Sequence, residues 1–228
     1  ELKRMEVFRR EFLANVSHEL KTPIFAAQGF VHTLIDGAKD DPAVSKRFLK
    51  KAAKSLDGLD ALVRDLVVLT QVETGDIKMQ LEIVNLVTIT LDIFDQLENK
   101  ANKRGISLKM KPKNIVEVLV VADSQRIFQV LTNFIDNAIK YGKEGGKVLI
   151  SFEEQQKDWV VTVDDDGPGI EEDHLNRIFE RFYRVDKSRS RETGGTGLGL
   201  AIVKHILNAH NSVIGVKSSP ENGTQFSF

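Results

Sequence analysis

The chain has 228 residues, 41% of them hydrophobic, with 32 basic against 33 acidic side chains and no cysteine. That length and apolar content allow one large domain or two modest ones with packed cores, and the near-balanced charge argues against nucleic acid or an anionic membrane surface as the main partner. No run of about 18 apolar residues reads as a membrane span, and the lack of cysteine excludes disulfides and thiolate zinc sites, which fits a reducing compartment.

The chain opens on Glu1-Leu2-Lys3-Arg4-Met5-Glu6-Val7-Phe8, already charged and helix-prone, and closes on Gln225-Phe226-Ser227-Phe228 within an alternating pattern. Both ends read as those of a fragment, with any targeting or membrane segment outside it. Leu13, Val16, Leu20, Ile24, Ala27, Val31 and Leu34 recur at steps of three and four, which predicts an amphipathic helix to about Ile35 with a coiled-coil-like seam. If Leu13 and Leu20 occupy a positions, His18 falls at f, away from the seam, with Thr22 one turn on and on nearly the same face. Pro23 removes the amide that would bond the carbonyl of Glu19, so a bend is expected beside the histidine. An interior proline costs about 3 kcal/mol and is rarely kept without a reason in packing or function. The heptapeptide Ser17-His18-Glu19-Leu20-Lys21-Thr22-Pro23 therefore brings together a nucleophile, an acid and a helix disturbance. Taken alone, it reads equally well as a surface histidine on a kinked helix.

Asp36 to Pro42 reads as a turn, and Phe48, Ala52, Leu56, Leu59, Leu62, Val63, Leu66 and Leu69 mark a second helix down to Thr74-Gly75. Two long helices joined by a short loop make an antiparallel hairpin, and pairing with a second copy into a four-helix bundle buries both seams. Lys46, Arg47, Lys50, Lys51 and Lys54 form a basic side that is either a solvated face or a docking surface for an acidic partner. Asp76 to Ile83 reads as a connector, giving a hairpin over 1–75, a linker over 76–84 and a second domain over 85–228. In that domain helices are expected from Asn85 to about Lys103, Ser124 to Tyr141, Glu171 to Arg181 and Leu198 to His210. Strands are expected at 106–110, 116–121, 148–152, 159–163, 213–217 and 224–228. This is a mixed α+β domain with helices on one sheet face.

Three features of the second domain carry chemistry. Asn133 and Asn137 sit four apart on one helix face, with Lys140 and Tyr141 one turn on. An amide carbonyl with triphosphate oxygens suits Mg²⁺, and Lys140 adds charge against phosphate, although Asn and Lys are also common helix surface. Asp164-Asp165-Asp166-Gly167-Pro168-Gly169-Ile170 follows an alternating strand. A carboxylate there can accept the exocyclic amine of a purine while Gly167 and Gly169 let the backbone approach the ring, although an Asp-Gly turn looks the same. Gly194-Gly195-Thr196-Gly197-Leu198-Gly199-Leu200 leads into a helix whose N-terminal amides and dipole suit a phosphate. Its spacing is not a dinucleotide fingerprint, and 142–147 is not a P-loop.

In order along the chain these features resemble a two-component sensor histidine kinase. Phe12 to Pro23 looks like the H box, Asn133 to Tyr141 the N box, Asp165 to Gly169 the G1 box, Ile178 to Arg184 the F box and Gly195 to Gly199 the G2 box. The resemblance implies a helical hairpin forming a dimeric four-helix bundle, followed by an α/β sandwich ATP-binding domain of the GHKL type. It implies ATP and Mg²⁺ as cofactors, a homodimer, and a separate response regulator receiver domain as phosphoryl acceptor. By the same resemblance His18 is the phosphoacceptor and Glu19 the base that orients it. Asn137 ligates Mg²⁺ with support from Asn133, Lys140 touches phosphate, Tyr141 lies against adenine and Asp165 bonds its amine. Gly167, Gly169, Gly195, Gly197, Leu198 and Gly199 line the nucleotide, and Arg184 reaches the γ-phosphate from a lid over about Tyr183 to Gly195. Thr22 positions water for dephosphorylating the partner. The place implied is the cytoplasmic part of a bacterial membrane-anchored sensor, with no direct membrane contact in this stretch.

Asp166 stands where the family often has Asn, and Asn211-Ser212 where it often has two glycines. His32, His174, His205 and His210 lack metal-ligand spacing. A GHKL ATPase of another kind would lack the His-Glu-x-x-Thr-Pro helix, and a decayed nucleotide-gated scaffold without phosphotransfer would have lost Asn137, Asp165 or a glycine.

Overall fold

The computed structural model describes residues 2–73, 79–186 and 195–228. Helices α1 (Leu2–Ile35) and α2 (Pro42–Glu73) form an antiparallel hairpin, joined through a 3₁₀ turn at Ala38–Asp40. Ala27, Leu34, Ala52, Leu62 and Leu69 are buried along it, and Phe30 meets Phe48 with ring centroids 5.8 Å apart. Helix α1 continues through Pro23. The expected stop at Thr74-Gly75 lies outside the described residues.

The rest of the chain runs β1 (Leu81–Asn85), α3 (Leu86–Asn102), β2 (Ser107–Lys111), β3 (Leu119–Asp123), α4 (Ser124–Tyr141), β4 (Lys147–Gln155), β5 (Asp158–Asp165), α5 (Glu172–Leu175), α6 (Gly199–Ala209), β6 (Gly215–Ser218) and β7 (Thr224–Ser227). Five strands form one sheet in the order β2-β4-β5-β7-β6, with β2 parallel to β4 and the remaining neighbours antiparallel. Strands β1 and β3 make a separate antiparallel pair that matches Ile83 to Val121.

The alternation read in the sequence becomes a core face. Val148, Ile150 and Phe152 of β4, Val161 and Val163 of β5 and Phe226 of β7 all point inward. Helix α4 covers them with Ile127, Val130, Leu131, Phe134, Ile135, Ala138 and Ile139, a stripe at steps of three and four, and Phe134 stacks on Phe226 at 4.8 Å. Asp123 caps α4 by accepting from the Arg126 amide at 3.1 Å, and Asn85 caps α3 by accepting from Val87 at 3.1 Å. These caps fix where α4 starts, and so which face carries the asparagines.

Two expectations need correction. Strand β1, Leu81–Asn85, begins inside the stretch Asp76 to Ile83 that reads as a connector. Its Leu81, Glu82 and Ile83 are all exposed and only Val84 is buried, so it lacks the alternation of an ordinary half-buried strand. The helix expected over 171–181 is only Glu172–Leu175. Tight turns follow it to Phe182, which takes a left-handed φ of 61° and donates its amide to the Gly197 carbonyl at 2.8 Å. A continued helix cannot make that connection.

Candidate active site

On α4 the polar residues lie on the margin that the buried stripe leaves free. Asn133 donates to the Gln129 carbonyl at 3.0 Å, while the half-buried Asn137 side chain has no hydrogen-bond partner among the described residues. The glycine loop closes against this margin. A Cβ at Gly199 would stand 2.5 Å from Asn133 Oδ1, and one at Gly195 would stand 3.2 Å from Tyr141 Oη. Gly197, at φ +73°, passes so close to Phe182 that a Cβ would lie 2.9 Å from its Cα. Leu198 is fully buried just before α6 and anchors the loop.

Asp165 sits at the end of β5 and accepts from the Gly167 amide at 2.8 Å. Burial pushes its carboxyl up to about 6, against the bonds from the Gly167 and Thr224 amides and with added repulsion from Asp166 and Asp164. A side chain at Gly167 would meet Asp165 Oδ1 at 2.7 Å and the Tyr141 carbonyl at 2.9 Å, so the end of α4 and the Asp-Gly turn are in contact. At Gly169, φ +74°, a Cβ would overlap the Ser219 carbonyl. A cavity of about 380 Å³ opens beside Asp165 against the β6–β7 turn.

Lys140 is half-buried and pairs with Asp136 at 2.9 Å, while Asp136 also binds Lys100 of α3. Burial opposes ionisation of Asp136, but Lys140 and Lys100 outweigh it and hold the carboxyl below its ordinary range. Arg104, in the turn after α3, gathers the carbonyls of Ile139, Lys140 and Gly142, the last at 3.1 Å, and so fixes the end of α4. No local pattern pointed to Arg104, because its partners lie at least 35 residues along the chain.

The phosphoacceptor candidate is where the heptad count put it. The His18 side chain is 66% exposed, and its Nδ1 lies 3.7 Å from Glu19 Oε1. Thr22, also exposed, donates to the His18 carbonyl at 3.2 Å. Glu19 is shared: its Oε2 accepts from Arg184 Nη2 at 2.9 Å. Arg184 also donates to the Gly195 carbonyl and is 11% exposed. One guanidinium thus joins the histidine's helix to the glycine loop. Around it, a cavity of about 1050 Å³ is lined by His18, Glu19, Phe12, Tyr183, Arg184 and neighbouring residues. Phe12 and Phe182 close one side with ring centroids 5.9 Å apart. A second contact between hairpin and loop runs from Thr196, whose hydroxyl donates to Asp65 of α2 at 2.9 Å. Of the stretch expected as a lid, about Tyr183 to Gly195, residues 187–194 lie outside the described residues.

The structure therefore brings His18, Glu19, Arg184 and Gly195 together. Separately, it brings Asn133, Tyr141, Asp165, Gly167 and Gly199 into one arrangement with the glycine loop. It turns Lys140 to Asp136. Among the described residues no group of three or more His, Asp or Glu side chains is gathered to hold a metal ion, and no helix is long and apolar enough to cross a membrane.

Comparison with known proteins places the chain in a family. Residues 8–75 match the His Kinase A (phospho-acceptor) domain, and residues 122–228 match the histidine kinase-, DNA gyrase B-, and HSP90-like ATPase. The chain is 36% identical over 230 residues to sensor histidine kinase WalK of Bacillus subtilis, covering all of this chain and 37% of that protein. It is 38% identical over 223 residues to sensor-like histidine kinase SenX3 of Mycolicibacterium smegmatis, covering 98% and 57% respectively, so it spans only part of these relatives. Among solved structures, Acinetobacter baumannii histidine kinase AdeS superposes with a TM-score of 0.74 at 31% identity, covering 92% of this chain and 95% of that one. Histidine kinase ThkA, in complex with response regulator protein TrrA, gives a TM-score of 0.77 at 27% identity over 99% of this chain and 62% of that one. The ATPase match carries ATP as the nucleotide of this fold, and together these findings make the chain a member of the two-component sensor histidine kinases.

Proposed function

We propose that the chain catalyses transfer of the γ-phosphoryl group of ATP to its own His18 and passes it to an aspartate of a response regulator receiver domain. One observation carries this reading: Arg184 joins Glu19, beside an exposed His18, to the glycine loop at Gly195. That arrangement links acceptor and nucleotide loop at the place where phosphorus must be exchanged.

With Nδ1 turned to Glu19, the Nε2 lone pair is the nucleophile. It attacks the γ-phosphorus as the bond to the bridging oxygen breaks, and ADP leaves with the electron pair. Glu19 holds the Nδ1 proton and favours the imidazolium that forms. Arg184 moves from Glu19 to the transferring phosphoryl group, which frees the carboxylate for the ring and neutralises the developing charge. Asp165 accepts the adenine amine, Tyr141 lies against the ring, and Gly167 and Gly169 keep the wall close to it. Gly195, Gly197, Leu198 and Gly199 present the phosphate cradle, and Lys140 exchanges Asp136 for phosphate. Mg²⁺ fits this donor set: the half-buried, unpartnered Asn137 amide would hold it with Asn133 alongside, and the ion supplies charge against the triphosphate oxygens. Thr22, on the His18 face, orients water for dephosphorylating the receiver.

Exposed Leu13, Ile24, Val31, Leu56 and Val63 along the predicted seams support a homodimer that closes a four-helix bundle. We divide the chain into a hairpin over 1–75, a linker over 76–84 and a catalytic domain over 85–228. We assign it to the cytoplasmic part of a bacterial membrane-anchored sensor.

The test is a pulse and chase. The chain is labelled from γ-labelled ATP with Mg²⁺, then mixed with a panel of receiver domains. Wild type takes up label and loses it to a receiver, whereas His18→Gln takes up none. ATP hydrolysis without label on the protein would instead favour a GHKL ATPase or nucleotide-gated scaffold.

A further inference from the structure

Leu62, Leu66 and Leu69 of α2 share one helix face and seat it on the core of the sheet domain, with Leu69 fully buried. Asp65 lies within this stripe, so the same packing that docks the hairpin draws a carboxylate toward the nucleotide half. There its Oδ2 accepts from the Thr196 hydroxyl at 2.9 Å, and the same hydroxyl oxygen accepts from the Leu198 amide at 3.2 Å. The ammonium of Lys140 also acts on Asp65. Burial raises the Asp65 carboxyl above its ordinary range, and the Thr196 bond and Lys140 only partly offset this. At the other junction Glu19 holds Arg184. The docked hairpin thus sets its own carboxylates against groups that the proposed function gives to phosphate.

Resting on that reading of the nucleotide site, we propose that Asp65 is an anionic latch that competes with the triphosphate for the glycine loop and Lys140. Docking of α2 and occupation by ATP then oppose each other, and nucleotide loading releases the sheet domain from the hairpin. A polyanion entering beside Asp65 meets a like charge in a partly desolvated place, where the interaction is stronger than in bulk water. Loading therefore proceeds as the Asp65–Thr196 bond opens.

The test measures binding of a non-hydrolysable ATP analogue with Mg²⁺ to the whole chain, wild type against Asp65→Asn. The amide keeps an acceptor for Thr196 and removes the charge. The variant should bind about threefold to tenfold tighter at low salt. The difference should shrink toward equality near 1 M salt, where the screening length is about 3 Å. In wild type, backbone amide exchange around Leu62–Leu69 should speed up when the analogue is added. Equal or weaker binding by Asp65→Asn at low salt, a gain that ignores salt, or unchanged exchange would each overturn the latch. If wild type binds no analogue at any salt, the nucleotide-site reading fails and takes this inference with it.

Discussion

The hairpin and the sheet domain solve burial in opposite ways. The sheet domain closes on itself: Phe134, Ile135 and Ile139 of α4 are fully buried against strands of the same chain. The hairpin leaves Leu13, Val31, Leu56 and Val63 open to solvent, although the sequence counts them to its seams. A closed core holds a binding site rigid, whereas an open seam makes a helix pair dependent on a second copy. The proposed transfer needs both, because His18 belongs to the open part and the residues proposed to hold nucleotide belong to the closed part.

That contrast breaks most sharply at Phe134. Phe134→Ala should cost about 3–5 kcal/mol and unfold the sheet domain at a midpoint independent of protein concentration, as chemical denaturation followed at several dilutions will read. Next in size, Val31→Asp or Leu56→Asp should remove about 1.5–3 kcal/mol of association per side chain. Light scattering should then report a monomer, with the sheet domain still folded and still binding nucleotide; an unchanged dimer would contradict the open-seam account. Third is a pH effect confined to the closed domain. In the proposed function Asp165 accepts the adenine amine, which requires its carboxylate, and burial pushes that carboxyl up to about 6. Affinity should therefore be level above that value and fall by up to about tenfold per pH unit below it. Asp165→Asn should bind weakly with no such profile of its own. The smallest effect is expected at Thr22, on the hairpin. Thr22→Ala should lower dephosphorylation of the receiver more than self-labelling, measured side by side, and equal loss of both would contradict its separate role.

How far the molecule could be read from its sequence depended on the reach of each interaction. The exposure of His18 was legible because helix periodicity fixes a direction from neighbours within one turn. The glycine loop and the Asp165–Gly167 turn were legible because they answer to local backbone rules. Arg104 was not, and neither was either junction: Thr196 meets Asp65 across 131 residues and Arg184 meets Glu19 across 165. Nothing in the local pattern of Asp65 marks it, since a carboxylate among leucines on a helix looks like a solvent-facing charge until another domain packs there. Strand β1 escapes the sequence pattern because Leu81 and Ile83 face outward and only Val84 is buried, and α5 is shorter than its pattern because the chain there turns to reach Gly197. The pairing of Lys140 with Asp136 lies at ordinary helix spacing and was open to inspection. It identifies the partner that Lys140 would leave for phosphate in the proposed function.

In the proposed function one exposed imidazole on the open part receives phosphorus held by the closed part. The direct measurement is peptide mapping of the chain after incubation with ATP and Mg²⁺, handled at alkaline pH to preserve phosphoramidates. A single acid-labile phosphoryl group is expected on His18, absent when Asn137 is changed to Asp. Phosphate on another residue, or full labelling of His18 in that variant, would contradict it.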